Sequence, residues 1–66
     1  MTILQLAREY APYNLLPAFE QGFQDYKYGC CLKPVQVRNI FGEVGVQAYD
    51  RGTECSRRWA IEQALK

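Results

Sequence analysis

One five-residue pattern occurs twice in this chain of 66 residues, as AFEQG at 18–22 and as AYDRG at 48–52. Each copy contains alanine, an aromatic residue, an acid, a polar residue and glycine, in that order. Residues four apart lie on one face of a helix, so each copy would place its alanine and glycine together, with the aromatic side chain beside them. The repeat therefore predicts two helices that each carry a narrow face of small residues.

The small residues continue at the same spacing along the second segment, as Ala48, Gly52, Ser56, Ala60 and Ala64. Glycine inside a helix costs about 1 kcal/mol relative to alanine, which is serious in a domain whose total stability is only about 5 kcal/mol. Close packing of the two helices would offset that cost. We predict a mainly α fold in which two principal helices form a hairpin through Ala/Gly faces, with the contact made by Ala18, Gly22, Ala48, Gly52 and Ser56.

Two alternatives to this packing prediction stay open at the level of sequence. Gly22 or Gly52 could simply end a helix, because glycine is a common helix terminator. A glycine could also leave room for the backbone of a partner or for a nucleotide. The three interpretations differ in what lies against the glycine, which only a structure shows.

Capping residues predict where the first two helices begin and end. Thr2 and Gln5 have the spacing of a capping box, which predicts a short N-terminal helix that ends before Pro12. Asn14 is predicted to cap the second helix, and Gly29 is predicted to end it in a left-handed conformation.

The sequence from residue 35 onward is compatible with either helix or extended structure. VRNIFGEVG, at 37–45, is rich in β-branched residues and glycine, yet Val37, Phe41, Val44 and Ala48 follow a helical period. We predict a helix here, with a short extended piece over 35–37 as the alternative. Helix over 43–65 is predicted more strongly, because opposite charges recur four residues apart: Glu54–Arg58, Arg58–Glu62 and Glu62–Lys66.

Composition narrows the class of protein. The net charge is +1, from eight basic and seven acidic residues, whereas small proteins that coat nucleic acid are strongly basic. With 48% hydrophobic residues the chain is too apolar to be disordered, and its length allows a single domain over residues 1–66. No apolar run approaches the roughly 20 residues of a membrane span, and the first residues lack the features of a signal peptide. We therefore expect a cytoplasmic protein.

The sequence offers little for catalysis or metal binding. It contains no histidine, and its one serine, Ser56, lies in the row of small residues. Cys30, Cys31 and Cys55 lack zinc-site spacing, although thiol-based metal or redox binding, with Asp25 as a further ligand, is a remote alternative. We expect buried, reduced thiols at a junction of loop and helix, no cofactor and no enzymatic activity.

GFQDYKYG at 22–29 resembles the first glycine-aromatic block of ribosome modulation factor and its small phage and prophage relatives, and YDRG at 49–52 resembles the second block. The likeness extends over residues 18–59. CLKP at 31–34 replaces the family's Cys-Pro-Tyr, Thr53 replaces an aromatic residue, and the family's basic N-terminus is missing. The resemblance implies two helices joined by a loop, a ribosome- or RNA-binding role, and structural roles for Gly22, Phe23, Gly29, Tyr49 and Gly52.

Two functions follow as hypotheses. The first is a small interaction protein, encoded by a phage or mobile element, that binds and modulates a host protein or pairs with itself as a homodimer. The alternative is the ribosome- or RNA-binding modulator that the resemblance implies. Tyrosine and arginine concentrate binding energy at interfaces, so the predicted partner-binding residues are Lys33, Arg38, Tyr49, Arg51, Arg57 and Arg58. For RNA or the ribosome, the five basic residues of this set are the predicted contacts.

Overall fold

A computed structural model describes residues 2–65 and shows four helical elements joined by short loops. Helix α1 spans Ile3–Arg8, a 3₁₀ turn spans Tyr13–Leu15, helix α2 spans Pro17–Tyr28 and helix α3 spans Pro34–Ala64. Residues 2–65 contain no strand, so the predicted mainly α class is confirmed. None of these helices is both long enough and apolar enough to cross a bilayer, within the part of the chain that is described.

The start of α1 has the predicted capping box. The Thr2 backbone N–H donates to Oε1 of Gln5 over 2.9 Å, and the Gln5 backbone N–H donates to Oγ1 of Thr2 over 3.2 Å. The helix is too short to persist alone, and it is held by Leu6, which is only 1% exposed in the core. Its role in the fold is therefore to cover the hairpin made by α2 and α3.

The start of α2 differs from the prediction, because Asn14 does not cap it. Asn14 lies in the 3₁₀ turn, and the residue at the N-cap is Leu16, in an extended conformation without a side-chain cap. Pro17 occupies the first helical position, where its missing N–H and fixed φ suit a helix start. The predicted end is confirmed: Gly29 has φ 74° and its N–H donates to the carbonyls of Asp25 and Tyr26.

Helix α3 bends once, at Gly42. This residue has φ 82° and ψ −177°, a conformation that favours glycine, while residues on both sides are helical. The predicted helix over 37–45 is thus confirmed apart from the bend at Gly42, and the extended alternative at 35–37 is wrong, because α3 begins at Pro34. The break also interrupts the predicted apolar period: Val37 and Ala48 are buried, but Val44 is 63% exposed.

The helices α2 and α3 run antiparallel and touch backbone to backbone. A Cβ atom built on Gly22 would lie 3.0 Å from the carbonyl carbon of Tyr49, and one built on Gly52 would lie 2.9 Å from the carbonyl carbon of Phe19. In both cases the carbonyl oxygen would be nearer still. The predicted hairpin through Ala/Gly faces is therefore confirmed. Both glycines lie inside helices, and the chain's own backbone fills the space beside them.

The close contact ends before α3 does. Ala48 and Ser56 are buried, but Ala60 and Ala64 are exposed, because α2 has 12 residues and α3 has 31. The last turns of α3 therefore extend beyond α2, which leaves the Ile61 side chain 52% exposed. The core lies between the three helices and consists of Leu6, Tyr10, Ala18, Phe19, Val37, Ala48, Tyr49 and Cys55.

Arg58 makes different contacts from those predicted. The sequence paired it with Glu54 and Glu62 along α3, whereas its guanidinium lies 2.9 Å from Oε2 of Glu9 and donates to the Tyr10 hydroxyl over 3.0 Å. These two contacts raise the pKa of Arg58 above its usual value. Arg58 therefore ties α1 to α3 and does not belong to a row of pairs along α3. The predicted pair of Glu62 with Lys66 lies outside the described residues.

Candidate functional site: a groove beside the bend in α3

A groove of about 380 Å³ lies between the loop that follows α2 and the two halves of α3. Because α3 bends at Gly42, side chains from before and after the bend line the same depression. The exposed lining is mainly apolar, and we call the side chains of Gln47, Asp50, Arg51 and Thr53, all on α3, the polar edge. The lining residues are Tyr26, Cys31, Leu32, Pro34, Val37, Val46, Gln47, Tyr49, Asp50, Arg51 and Thr53.

A buried polar network holds the floor of this groove in place. The Tyr49 hydroxyl donates to Oδ2 of Asp25 over 2.6 Å and accepts from the Leu32 backbone N–H over 2.8 Å. The other carboxylate oxygen of Asp25 accepts from Nε2 of Gln21 over 2.7 Å. Asp25 is 7% and Tyr49 5% exposed, so the bond between these two side chains forms away from water. Together the hydrogen bonds of the network fix the position of Leu32 relative to α2 and α3.

The Tyr49 hydroxyl stays protonated over the physiological range. Burial, followed by the hydrogen bond to Asp25, raises the pKa of Tyr49 to about 12, although the bond from the Leu32 N–H acts in the opposite direction. A neutral hydroxyl can donate to Asp25 and accept from Leu32 at once. The phenol therefore keeps the protonation state that both hydrogen bonds require until the pH approaches 12.

The polar edge of the groove is formed by side chains of α3 held by local contacts. The guanidinium of Arg51 lies 3.2 Å from Oδ2 of Asp50 and 5.9 Å from the centre of the Tyr13 ring. The hydroxyl of Tyr13 donates to Oε1 of Gln47 over 2.6 Å, and the Thr53 hydroxyl donates to the Asp50 carbonyl over 2.7 Å. This edge therefore offers an exposed carboxylate and a guanidinium next to each other.

A second depression, of about 290 Å³, continues from the groove along α3. It shares Tyr26, Asp50 and Thr53 with the groove and adds Glu54 and Arg57. The two depressions adjoin at these three shared residues and follow α3 toward its C-terminal end. Their lining changes from apolar near the bend to charged near Arg57.

The predicted contact residues do not converge on one place. Arg51 and Arg57 border the two depressions, and Arg58 is held against α1. Lys33 and Arg38 are exposed, but neither lines the groove. Tyr49 lines the groove but is only 5% exposed, and its hydroxyl is bonded within the fold, so it shapes the floor and has no free hydroxyl to offer a partner.

The three thiols occupy different environments, so the expectation of buried cysteines holds for one of them. Cys55 is buried in the helix contact, and burial raises the pKa of its thiol. Cys30 and Cys31 are exposed, with Sγ of Cys30 lying 3.9 Å from Oδ1 of Asp25. Among residues 2–65 no three histidine, cysteine or acidic residues are close enough together to hold a metal ion.

Sequence reasoning missed Asp25 as the centre of the buried network. A signal was present, because Ala18, Gly22 and Asp25 follow the i, i+4, i+7 spacing of one helix face. An acid on a face that is otherwise small and buried needs a hydrogen-bond donor there, and Tyr49 provides it. The groove itself had no sequence signal, since it depends on the bend at Gly42.

No family model, curated protein or solved structure matches this chain. Its function is therefore inferred from the groove, the polar edge and the charges around them.

Proposed function

We propose that this chain is a small, cytoplasmic, non-catalytic interaction protein, encoded by a phage or mobile element, that binds and modulates a host protein through the groove. The observation that carries the proposal is a concave surface of about 380 Å³ with an apolar floor and a few polar side chains at one edge. Sites that take apolar groups have this composition, and the polar groups orient the bound partner. The groove suits an apolar side chain presented by another protein.

The side chains around the groove favour a protein partner. Tyr26 is 38% exposed and Arg51 is 43% exposed, and both residue types concentrate binding energy at interfaces. The network of Asp25, Tyr49 and Leu32 holds the floor in one conformation before a partner arrives. A preformed surface loses little conformational entropy on binding, which strengthens the complex.

The charges support the RNA-binding alternative less well. Such a modulator needs several basic side chains free to neutralise phosphates. Of the five predicted basic contacts, Arg58 is bonded to Glu9 and Tyr10, and Lys33 and Arg38 lie away from the groove, so the basic side chains do not form one patch. The salt dependence of binding therefore distinguishes a ribosome or RNA partner from a protein partner.

The experiment compares two valine variants in a pull-down from bacterial lysate. Val46 lines the groove, whereas Val44 is 63% exposed and does not. We expect tagged wild type and Val44→Glu to retain the same stoichiometric protein, and Val46→Glu to lose it because a carboxylate replaces part of the apolar floor. Thr53→Arg, at the polar edge, tests the same surface if Val46→Glu proves unfolded by circular dichroism.

Two outcomes would contradict the proposal. One is that wild type retains no protein, and the other is that the groove variants retain the same protein as wild type. Retention of ribosomal RNA that weakens steeply between low and physiological salt would favour the alternative, because phosphate contacts release counterions.

A further inference from the structure

The exposed face of α3 carries charges of opposite sign at matched positions. Asp50 and Arg57 are seven residues apart, which is two helical turns, so they lie on the same face. Both side chains are exposed and border the second depression. Thr53 lies between them on this face. A face with an acid at one end and a base at the other is complementary to itself when reversed.

Two apolar side chains lie at matched positions outside this charged pair. Val46 lies four residues before Asp50, and Ile61 lies four residues after Arg57. Consider a second copy of α3 that lies antiparallel to the first, with the two-fold axis passing between Thr53 and Glu54. In this register Asp50 faces Arg57 of the second copy, and Val46 faces Ile61 of the second copy. We name this surface the outer α3 face and define it as Val46, Asp50, Thr53, Arg57 and Ile61.

We propose that two copies of this chain associate as an antiparallel dimer through the outer α3 face, with Ile61 of each copy entering the groove of the other. The inference rests on the proposed function, since it names a partner for the same groove. Such a contact is isologous, so every pair forms twice around a two-fold axis. A host protein and a second copy would compete for this surface.

The shape of the chain supports this occupant. Ile61 is 52% exposed because α3 extends beyond α2, so its side chain is free to contact another molecule. Val46, which faces it across the dimer, lines the groove together with Leu32 and Val37. In this register Ala64, the last residue of α3, lies opposite Glu43, next to the bend at Gly42. The second helix therefore ends where the first one changes direction.

The symmetry also creates one unfavourable contact. Glu54 of each copy lies near the axis and on the same flank, so the two carboxylates repel each other. Glu54→Gln is therefore expected to strengthen the dimer by a few-fold, about the size of an exposed charge interaction. The gain from Glu54→Gln depends on the register of the two helices, because a shift of one helical turn would move the two Glu54 side chains away from each other.

The test is sedimentation equilibrium of the purified chain over a range of concentrations, with charge-reversal variants. Wild type is expected to dimerise, and Asp50→Arg or Arg57→Asp alone is expected to raise the dissociation constant about tenfold, because two attractions become two repulsions. The double variant carrying both changes is expected to return close to the wild-type value. Glu20→Arg, an exposed change on α2 outside the groove, is the control and leaves the constant unchanged.

The proposal is overturned if wild type is monomeric at all concentrations, or if the double variant fails to restore association lost in the single variants. It is also overturned if the single variants associate as wild type does. These results are separable from the pull-down: a monomeric wild type that retains a lysate protein through Val46 would refute the dimer and leave the proposed function intact. Circular dichroism confirms that each variant is folded before its association is measured.

Discussion

Replacing Gly52 with leucine is expected to destabilise the fold by about 3 kcal/mol, the upper end of what overpacking typically costs. The side chain would have to enter the space held by the backbone of Phe19 and Phe23, whose atoms lie within 3.0 Å of a Cβ built on Gly52. Backbone inside a helix cannot move aside as the end of a side chain can. Because the total stability of so small a domain is about 5 kcal/mol, we expect a much lower melting temperature or unfolding that is no longer cooperative.

Ala60→Leu is the matched control for this substitution. Ala60 belongs to the same row of small residues at spacing four, but it is exposed because α2 does not extend that far. Surface substitutions of this kind change stability by about 0.5 kcal/mol or less. Thermal unfolding of the two variants therefore isolates the helix contact. If Gly52→Leu melts like Ala60→Leu, the close contact at Gly52 does not exist.

Tyr49→Phe is expected to produce the second large effect on stability. It removes the hydroxyl that donates to Asp25 over 2.6 Å and accepts from the Leu32 N–H over 2.8 Å, so the buried Asp25 carboxylate loses a donor and the partly buried N–H loses its acceptor. A buried polar group that loses its partner costs about 1–3 kcal/mol. Tyr28→Phe is the control, because Tyr28 is 73% exposed. Chemical denaturation that gives equal stabilities for both variants would show that the network contributes nothing.

The Tyr49 network also predicts a pH dependence. The pKa of Tyr49 is raised to about 12 from its ordinary value of 10.0, so the folded state favours the neutral phenol. The stability contributed by this group is complete below pH 10 and is lost as pH rises toward 12. Wild type should therefore lose more stability than Tyr49→Phe over this window. Parallel stability curves for the two proteins would contradict the assignment.

The helix contact was predictable from sequence because it depends on spacing. Alanine and glycine four residues apart must share a face of any helix that contains them, and the same pattern at 18–22 and 48–52 supplied both faces. The capping box at Thr2 and the left-handed end at Gly29 were predictable for the same reason, since each depends on residues close together in the chain.

Features that depend on distant residues were not predictable. Arg58 has acidic residues four positions away on both sides, yet it binds Glu9 and Tyr10, because α1 packs beside it. Likewise, nothing near Gly42 distinguishes a helical glycine from one with φ 82°. The bend at Gly42 forms the groove, so the candidate site could not be located before the fold was known.

The thermal stability of Gly52→Ala tests the close helix contact most directly, because two effects have opposite signs. Alanine favours a helix over glycine by about 1 kcal/mol, so an open position would gain stability. At Gly52, however, the added Cβ would lie 2.9 Å from the carbonyl carbon of Phe19, which forces α2 and α3 apart. We predict a lower melting temperature than wild type. A higher melting temperature would contradict backbone contact between the two helices.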